Sequence, residues 1–155
     1  MSAQVPIISQ SASLSVNAST PAGFNSVADK WDASRWPHFS LAELSCRHCG
    51  EMFIDVNFLD CLQTLRHKVG KPLHILSGHR CANHNAMIGG APLSQHLTLA
   101  ADINLYRHNR FELLSCAQAV GFTGFGFYTT FLHIDLGRPR HWYSGQKAKL
   151  LWQQP

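Results

Sequence analysis

SGHRCANHNAMIGGAPLSQHLTLAADI, Ser77 to Ile103, and the shorter FLHIDLG, Phe131 to Gly137, carry most of what this chain discloses about its fold. Both end in alternating segments. In Leu99–Tyr106 one face carries Leu99, Ala101, Ile103 and Leu105, and the other Ala100, Asp102, Asn104 and Tyr106. In Phe131–Leu136 the apolar face is Leu132, Ile134 and Leu136, and the opposite face is Phe131, His133 and Asp135. Period-two alternation predicts two half-buried strands.

Outward from these strands the pattern turns helical. Asp55 to Val69 spaces Phe58, Leu59, Leu62 and Leu65 as one helix face and stops at Gly70. Ser40 followed by Glu43 has the spacing of a capping box. Arg110 to Val120 is a further amphipathic helix, ended by Gly121, and Leu73 to Leu76 is a short strand after Pro72. Helices and strands mix without a βαβ rhythm, so the expected class is α+β, a small, mainly antiparallel sheet flanked by helices. Residues 1–29, rich in Ser, Ala, Asn and Thr, are expected to be a flexible leader, with a single domain over 30–155.

Composition narrows the function. The chain has 155 residues, of which 45% are hydrophobic, so it is no disordered tail. No apolar run approaches the ~18–20 residues of a membrane span. The N-terminus has neither a basic n-region nor a continuous apolar h-region, so no secretory signal peptide is expected. Five Cys are too few and too odd in number for a disulfide framework, and point to thiols or a metal site. The net charge of +4 comes from scarce acids rather than from a cationic stripe. The basic run Arg138 to Lys149 is broken by Pro139 and Gly145, so a nucleic-acid partner is not expected.

Ten His are the unusual feature. A catalytic zinc needs three protein ligands and one open position, and His96, Asp102 and His133 can supply the three. Water on such an ion has a pKa near ~7 and becomes a nucleophile. Asp135, on the strand face of His133, is the candidate proton acceptor, and Arg80 offers a guanidinium fork to a carboxylate or an oxyanion. The plain alternative is that polar residues opposite an apolar strand face simply meet solvent. His79 and His84 read as hydrogen-bonded loop residues. A second metal pattern pairs Cys46-x-x-Cys49 with Cys81-x-x-His84 as a closed structural zinc, although the span from Gly50 to Arg80 is long for one. Cys61 and Cys116 lie in helices among apolar residues and read as structural thiols.

The two quoted stretches resemble the M15 family of zinc D-Ala-D-Ala carboxypeptidase-like peptidases, in particular its phage and bacterial peptidoglycan branch. The resemblance extends upstream through Phe39-Ser-Leu-Ala-Glu43, Cys46–Gly50 and Gly70-Lys-Pro72, and covers about residues 36–143. It implies an α+β fold of the D-Ala-D-Ala peptidase/hedgehog-like kind. His96, Asp102 and His133 fall on the zinc ligands, Ser94 on the Ser of the Ser-x-His motif and Arg80 on the Arg of its Ser-Gly-Tyr-Arg motif, with His79 in place of the aromatic. Asp135 falls on the Asp of His-x-Asp, and Arg140 and Trp142 on its Arg-x-Trp. The implied activity is hydrolysis of peptidoglycan peptides next to D-amino acids, with Zn2+ as cofactor and Arg80, Ser94 and Trp142 at the substrate. A monomer that accumulates in the cytoplasm and reaches the cell wall by phage-like release completes this expectation. Two departures stand out. Asp102 follows His96 by six residues where the family usually has seven, with Leu99 in place of a Gly, and Thr130 stands where related peptidases often place a catalytic carboxylate. Both favour the other reading, a non-catalytic, zinc-stabilised module that binds cell wall or a protein.

Overall fold

The computed structural model describes residues 30–153; the expected leader over 1–29 lies outside them. The order is α1 (Leu41–Leu44), α2 (Val56–Val69), β1 (Ile75–Ser77), α3 (Ala82–Met87), a 3-10 turn (Gln95–Leu97), β2 (Ala101–Asn104), α4 (Arg110–Val120), β3 (Gly124–Phe127), β4 (Phe131–Asp135), β5 (Arg140–Tyr143) and α5 (Gly145–Gln153). The five strands form one sheet in the order β1-β2-β4-β3-β5, antiparallel except for the parallel β3–β5 pair. The α+β class with a mainly antiparallel sheet is therefore as expected.

Local chemistry sets the helix ends. Ser40 Oγ accepts the Glu43 N–H at 3.2 Å, and Asp55 Oδ1 accepts the Phe58 N–H at 3.0 Å. Each satisfies one orphan donor of a first turn. Helix α2 closes on Gly70 at φ 68, in the left-handed region that favours glycine. The Trp36 indole donates to Asp60 at 2.9 Å and thereby anchors the incoming chain to α2.

One sheet face is apolar. Ala101, Ile103, Leu132 and Ile134 join Phe58, Leu59, Leu62 and Leu65 of α2 and Leu113 and Ala117 of α4 in a single buried cluster. The opposite face holds a row fixed by register, with Ser77 paired to Asp102, Asp102 to His133, His133 to Gly126 and Gly126 to Trp142. Residues paired across neighbouring strands project on one side of the sheet, so this row gathers polar groups. A parallel row joins Asp135, Gly124 and Arg140.

The expectation of half-buried strands is corrected here. Asp102, His133 and Asp135 are buried although they oppose the apolar face. They pair with one another and with arginines, which lets a polar face leave water.

Strands β3 and β5 and helix α5 were not foreseen. GFGF has two glycines, which weaken a strand pattern. Their place in the rows explains them: a Cβ on Gly126 would stand 2.5 Å from the Trp142 ring and 3.0 Å from His133 Cβ, and one on Gly124 would collide with Arg140 and the Asp135 carboxylate. Two bare positions on β3 let side chains of β5 reach over it to β4. The breaks at Pro139 and Gly145 in the basic run flank β5. Gly126→Ala should therefore lower stability by about 1–3 kcal/mol, the cost of overpacking. Denaturant unfolding checks this, and an unchanged midpoint would contradict the packing described.

Candidate metal centre

The 3-10 turn brings His96 up to the sheet. Ser94 Oγ accepts the His96 N–H at 3.3 Å, and the Arg80 N–H bonds the His96 carbonyl at 2.7 Å. These contacts absorb the six-residue spacing: His96 Nε2 lies 3.2 Å from Asp102 Oδ1 and 3.1 Å from His133 Nδ1, and His133 Nδ1 lies 2.9 Å from Asp102 Oδ1. Three donor atoms thus form a nearly equilateral triangle. Zinc bonds of about 2.0–2.2 Å in tetrahedral geometry set ligand atoms about 3.3–3.5 Å apart. The triangle needs to open by only a few tenths of an ångström to hold an ion.

The remaining polar atom of each ligand is already engaged. His96 Nδ1 donates to the Gly78 carbonyl at 2.6 Å, which leaves Nε2 as its lone-pair nitrogen. His133 Nε2 donates to Asp135 Oδ2 at 2.9 Å, which presents Nδ1 to the centre. Asp102 Oδ2 accepts from Arg80 at 2.7 Å, and Oδ1 faces the two imidazoles. Such partners fix ring orientation and raise ligand basicity. Donor chemistry and orientation both fit a His2Asp zinc.

The electrostatics follow from the same contacts. Burial pushes the Asp102 carboxyl up, but the two imidazoles against it, His133 and His96, outweigh that and hold the group well below the usual carboxylate range. His96 is lowered, chiefly by burial, with Asp102 opposing. Burial also acts to lower His133, yet its bonds to Asp102 and Asp135 win and raise it. A carboxylate thus stands at each ring nitrogen of His133, Asp102 at Nδ1 and Asp135 at Nε2.

Asp135 requires a correction. It was expected to take a proton at the open position, but its carboxylate is fully buried behind His133, on the ring nitrogen away from the centre. Arg140 grips it with two bonds of 2.8 and 2.6 Å, and the Gly137 N–H donates at 2.8 Å. Every oxygen is occupied, so the group orients His133 rather than meeting solvent.

A cavity of about 410 Å³ opens over the triangle. Arg80, Ser94 and Trp142 line it, together with Gln95, Tyr128 and Phe131, and among the described residues Asp102 is its only acidic one. Arg80 spends Nε on Ser77 and one terminal nitrogen on Asp102, while part of its guanidinium faces the cavity. The Trp142 ring lies tilted against that of His133, centroids 5.1 Å apart, and carries the Arg140 guanidinium over its face. Tyr128 and Phe131 stack at 4.0 Å into an aromatic wall. Thr130 is exposed and absent from the lining. A shallower hollow of about 530 Å³ over Phe125, Phe127 and His141 contains none of the clustered ligands.

Arg140 was placed only on the Arg-x-Trp motif, and its grip on Asp135 and the Tyr128 wall were missed as site features. The alternation Gly124-x-Gly126 against Arg140-x-Trp142 was the available signal, legible only once β3 and β5 are known to be neighbours. His79, read as a loop residue, bonds the Thr98 carbonyl at 2.8 Å.

The family model described as Peptidase M15 matches residues 37–135. The chain belongs to this peptidase family, and the match spans α1 to α4, the 3-10 turn and β1 to β4, and so includes all three residues of the triangle. No curated protein matches the chain.

Asp135→Asn keeps the shape of the buried group but weakens its hold on His133. Zinc affinity at this centre should fall about 10–100-fold, as for other lost ligand supports. Competition with a chromophoric chelator measures it, and unchanged affinity would contradict the orienting role.

Proposed function

We propose that this peptidase is a zinc enzyme that hydrolyses stem or cross-link peptides of peptidoglycan next to D-amino acids, with residues 30–155 as its working unit. The observation that carries this reading is the triangle of His96 Nε2, Asp102 Oδ1 and His133 Nδ1, each tied through its other atom, at the floor of a cavity. A zinc ion held there supplies Lewis-acid activation of a peptide carbonyl and of water.

The chain's own residues then have distinct tasks. Asp135 and Arg140 keep His133 facing the centre. Arg80 directs its remaining N–H groups at the carbonyl oxygen as negative charge develops, or at a terminal carboxylate. The Ser94 hydroxyl accepts the His96 N–H and has its own proton to give to the substrate backbone. Trp142 and the Tyr128–Phe131 stack flank the cavity with apolar surface suited to small side chains such as that of D-alanine. Trp142 Nε1 donates a long 3.5 Å hydrogen bond to the Tyr128 hydroxyl, which keeps its own proton available to a substrate group. Access to the cell wall after lytic release fits this substrate; among the described residues no helix is long and apolar enough to cross a membrane.

One observation favours the second reading, a zinc-stabilised module that binds cell wall without cutting it. Among the described residues the cavity holds no carboxylate besides Asp102. Mass spectrometry of purified peptidoglycan, incubated with the zinc-loaded protein with and without chelator, separates the two. Released D-alanine identifies a carboxypeptidase, and opened cross-links or freed stem peptides an endopeptidase. No product from zinc-replete protein overturns the enzyme reading. His96→Ala should abolish product formation, and Arg80→Ala should lower kcat about 10²–10³-fold, as for a lost oxyanion donor. Full activity in either variant contradicts the roles assigned.

A further inference from the structure

A second cluster of metal-ligating atoms lies outside this centre. The sulfurs of Cys46, Cys49 and Cys81 lie within 4.8 Å of one another, and all three are free thiols. His84 Nδ1 stands 3.5 Å from Cys46 Sγ. Zinc–sulfur bonds of about 2.3 Å and zinc–nitrogen bonds of about 2.0–2.1 Å put S and N about 3.5–3.6 Å apart in a tetrahedron. We propose that Cys46, Cys49, Cys81 and His84 form a closed zinc site, distinct from the His96–Asp102–His133 centre, that ties the Cys46–Glu51 turn to the segment presenting Arg80.

The backbone is arranged for thiolates. The turn is closed by Cys46 N–H to Glu51 O at 2.7 Å and Gly50 N–H to Cys46 O at 2.8 Å, with Gly50 at φ 75. The Cys81 N–H donates to Cys46 Sγ at 3.3 Å, and the His84 N–H to Cys81 Sγ at 3.4 Å. Three thiol sulfurs held this close form a donor set that one cation can share.

His48 Nδ1 also approaches a sulfur, Cys81 Sγ at 3.6 Å. His48 is exposed within the turn, whereas His84 is half-buried one helical turn after Cys81. The fourth position is therefore assigned to His84, whose ring lies outside the 4.8 Å group of the three sulfurs and has to turn from Cys46 toward them to close the site. The consequence reaches the other centre. Cys81 follows Arg80 in the chain, the His79 N–H bonds the Leu44 carbonyl at 2.8 Å, and Arg80 holds Asp102. The proposed ion would brace the strand end that carries Arg80 and compensate for the scarcity of regular structure between Ser45 and Asp55.

Cobalt(II) loading of the full chain tests the proposal without reference to activity. A near-ultraviolet thiolate-to-cobalt charge-transfer band is expected in the wild type and in His96→Ala, and in the control Cys116→Ser. The band should be lost in Cys81→Ser and weakened in Cys49→Ser, a substitution at an exposed residue that the fold tolerates. His84→Ala should alter the band and His48→Ala leave it; the reverse would overturn the His84 assignment. A wild-type protein with no such band, or one whose intact mass shows Cys46, Cys49 or Cys81 in a disulfide after purification under reducing conditions, overturns the site, whatever the variants do. Zinc content should agree: two ions per chain in the wild type and one in His96→Ala.

Discussion

The pairing of Asp102 on β2 with His133 on β4 is the constraint on which the remaining geometry depends. Antiparallel register puts these two residues side by side on one sheet face, and His96 has only to be delivered to them by a turn. A slip of one residue in that ladder would turn one of the two side chains into the apolar layer beneath and part the pair. The hydrophobic cluster of α2, α4 and the other sheet face sets the register, so the core and the metal centre are two sides of one ladder.

Charge balance explains how so polar a face stays buried. Arg80 neutralises Asp102 and Arg140 neutralises Asp135, each through short contacts, and His133 lies between the two carboxylates. Removing one member of a buried pair leaves an uncompensated charge and costs about 3–5 kcal/mol. The glycines of β3 belong to the same device, because Arg140 reaches Asp135 only where Gly124 has no side chain. Ligand, orienting carboxylate, guanidinium and glycine therefore act as one unit across three strands.

Much of this was legible in the residues. Alternation exposed β2 and β4, capping residues marked α2 and α4, and the placement of His96, Asp102 and His133 opposite apolar sets pointed to a shared centre. Three things were not legible, each for a physical reason. GFGF lacks the branched residues that mark a strand because its glycines make room for neighbours on β5. The role of Asp135 could not be told from its face alone, since a carboxylate beside a histidine can meet solvent or lie behind the ring, and only the Arg140 clamp decides. The effect of the shortened His96–Asp102 spacing depended on loop geometry: the 3-10 turn and the Arg80 N–H bond to His96 close the gap that an extended segment would have left.

The most direct test of the account is anomalous X-ray scattering at the zinc edge from crystals of the zinc-loaded protein. The account requires a peak bonded to His96 Nε2, Asp102 Oδ1 and His133 Nδ1, with His133 Nε2 still on Asp135. No peak at that position, or an ion bound through His133 Nε2 with the Asp135 contact broken, would contradict it.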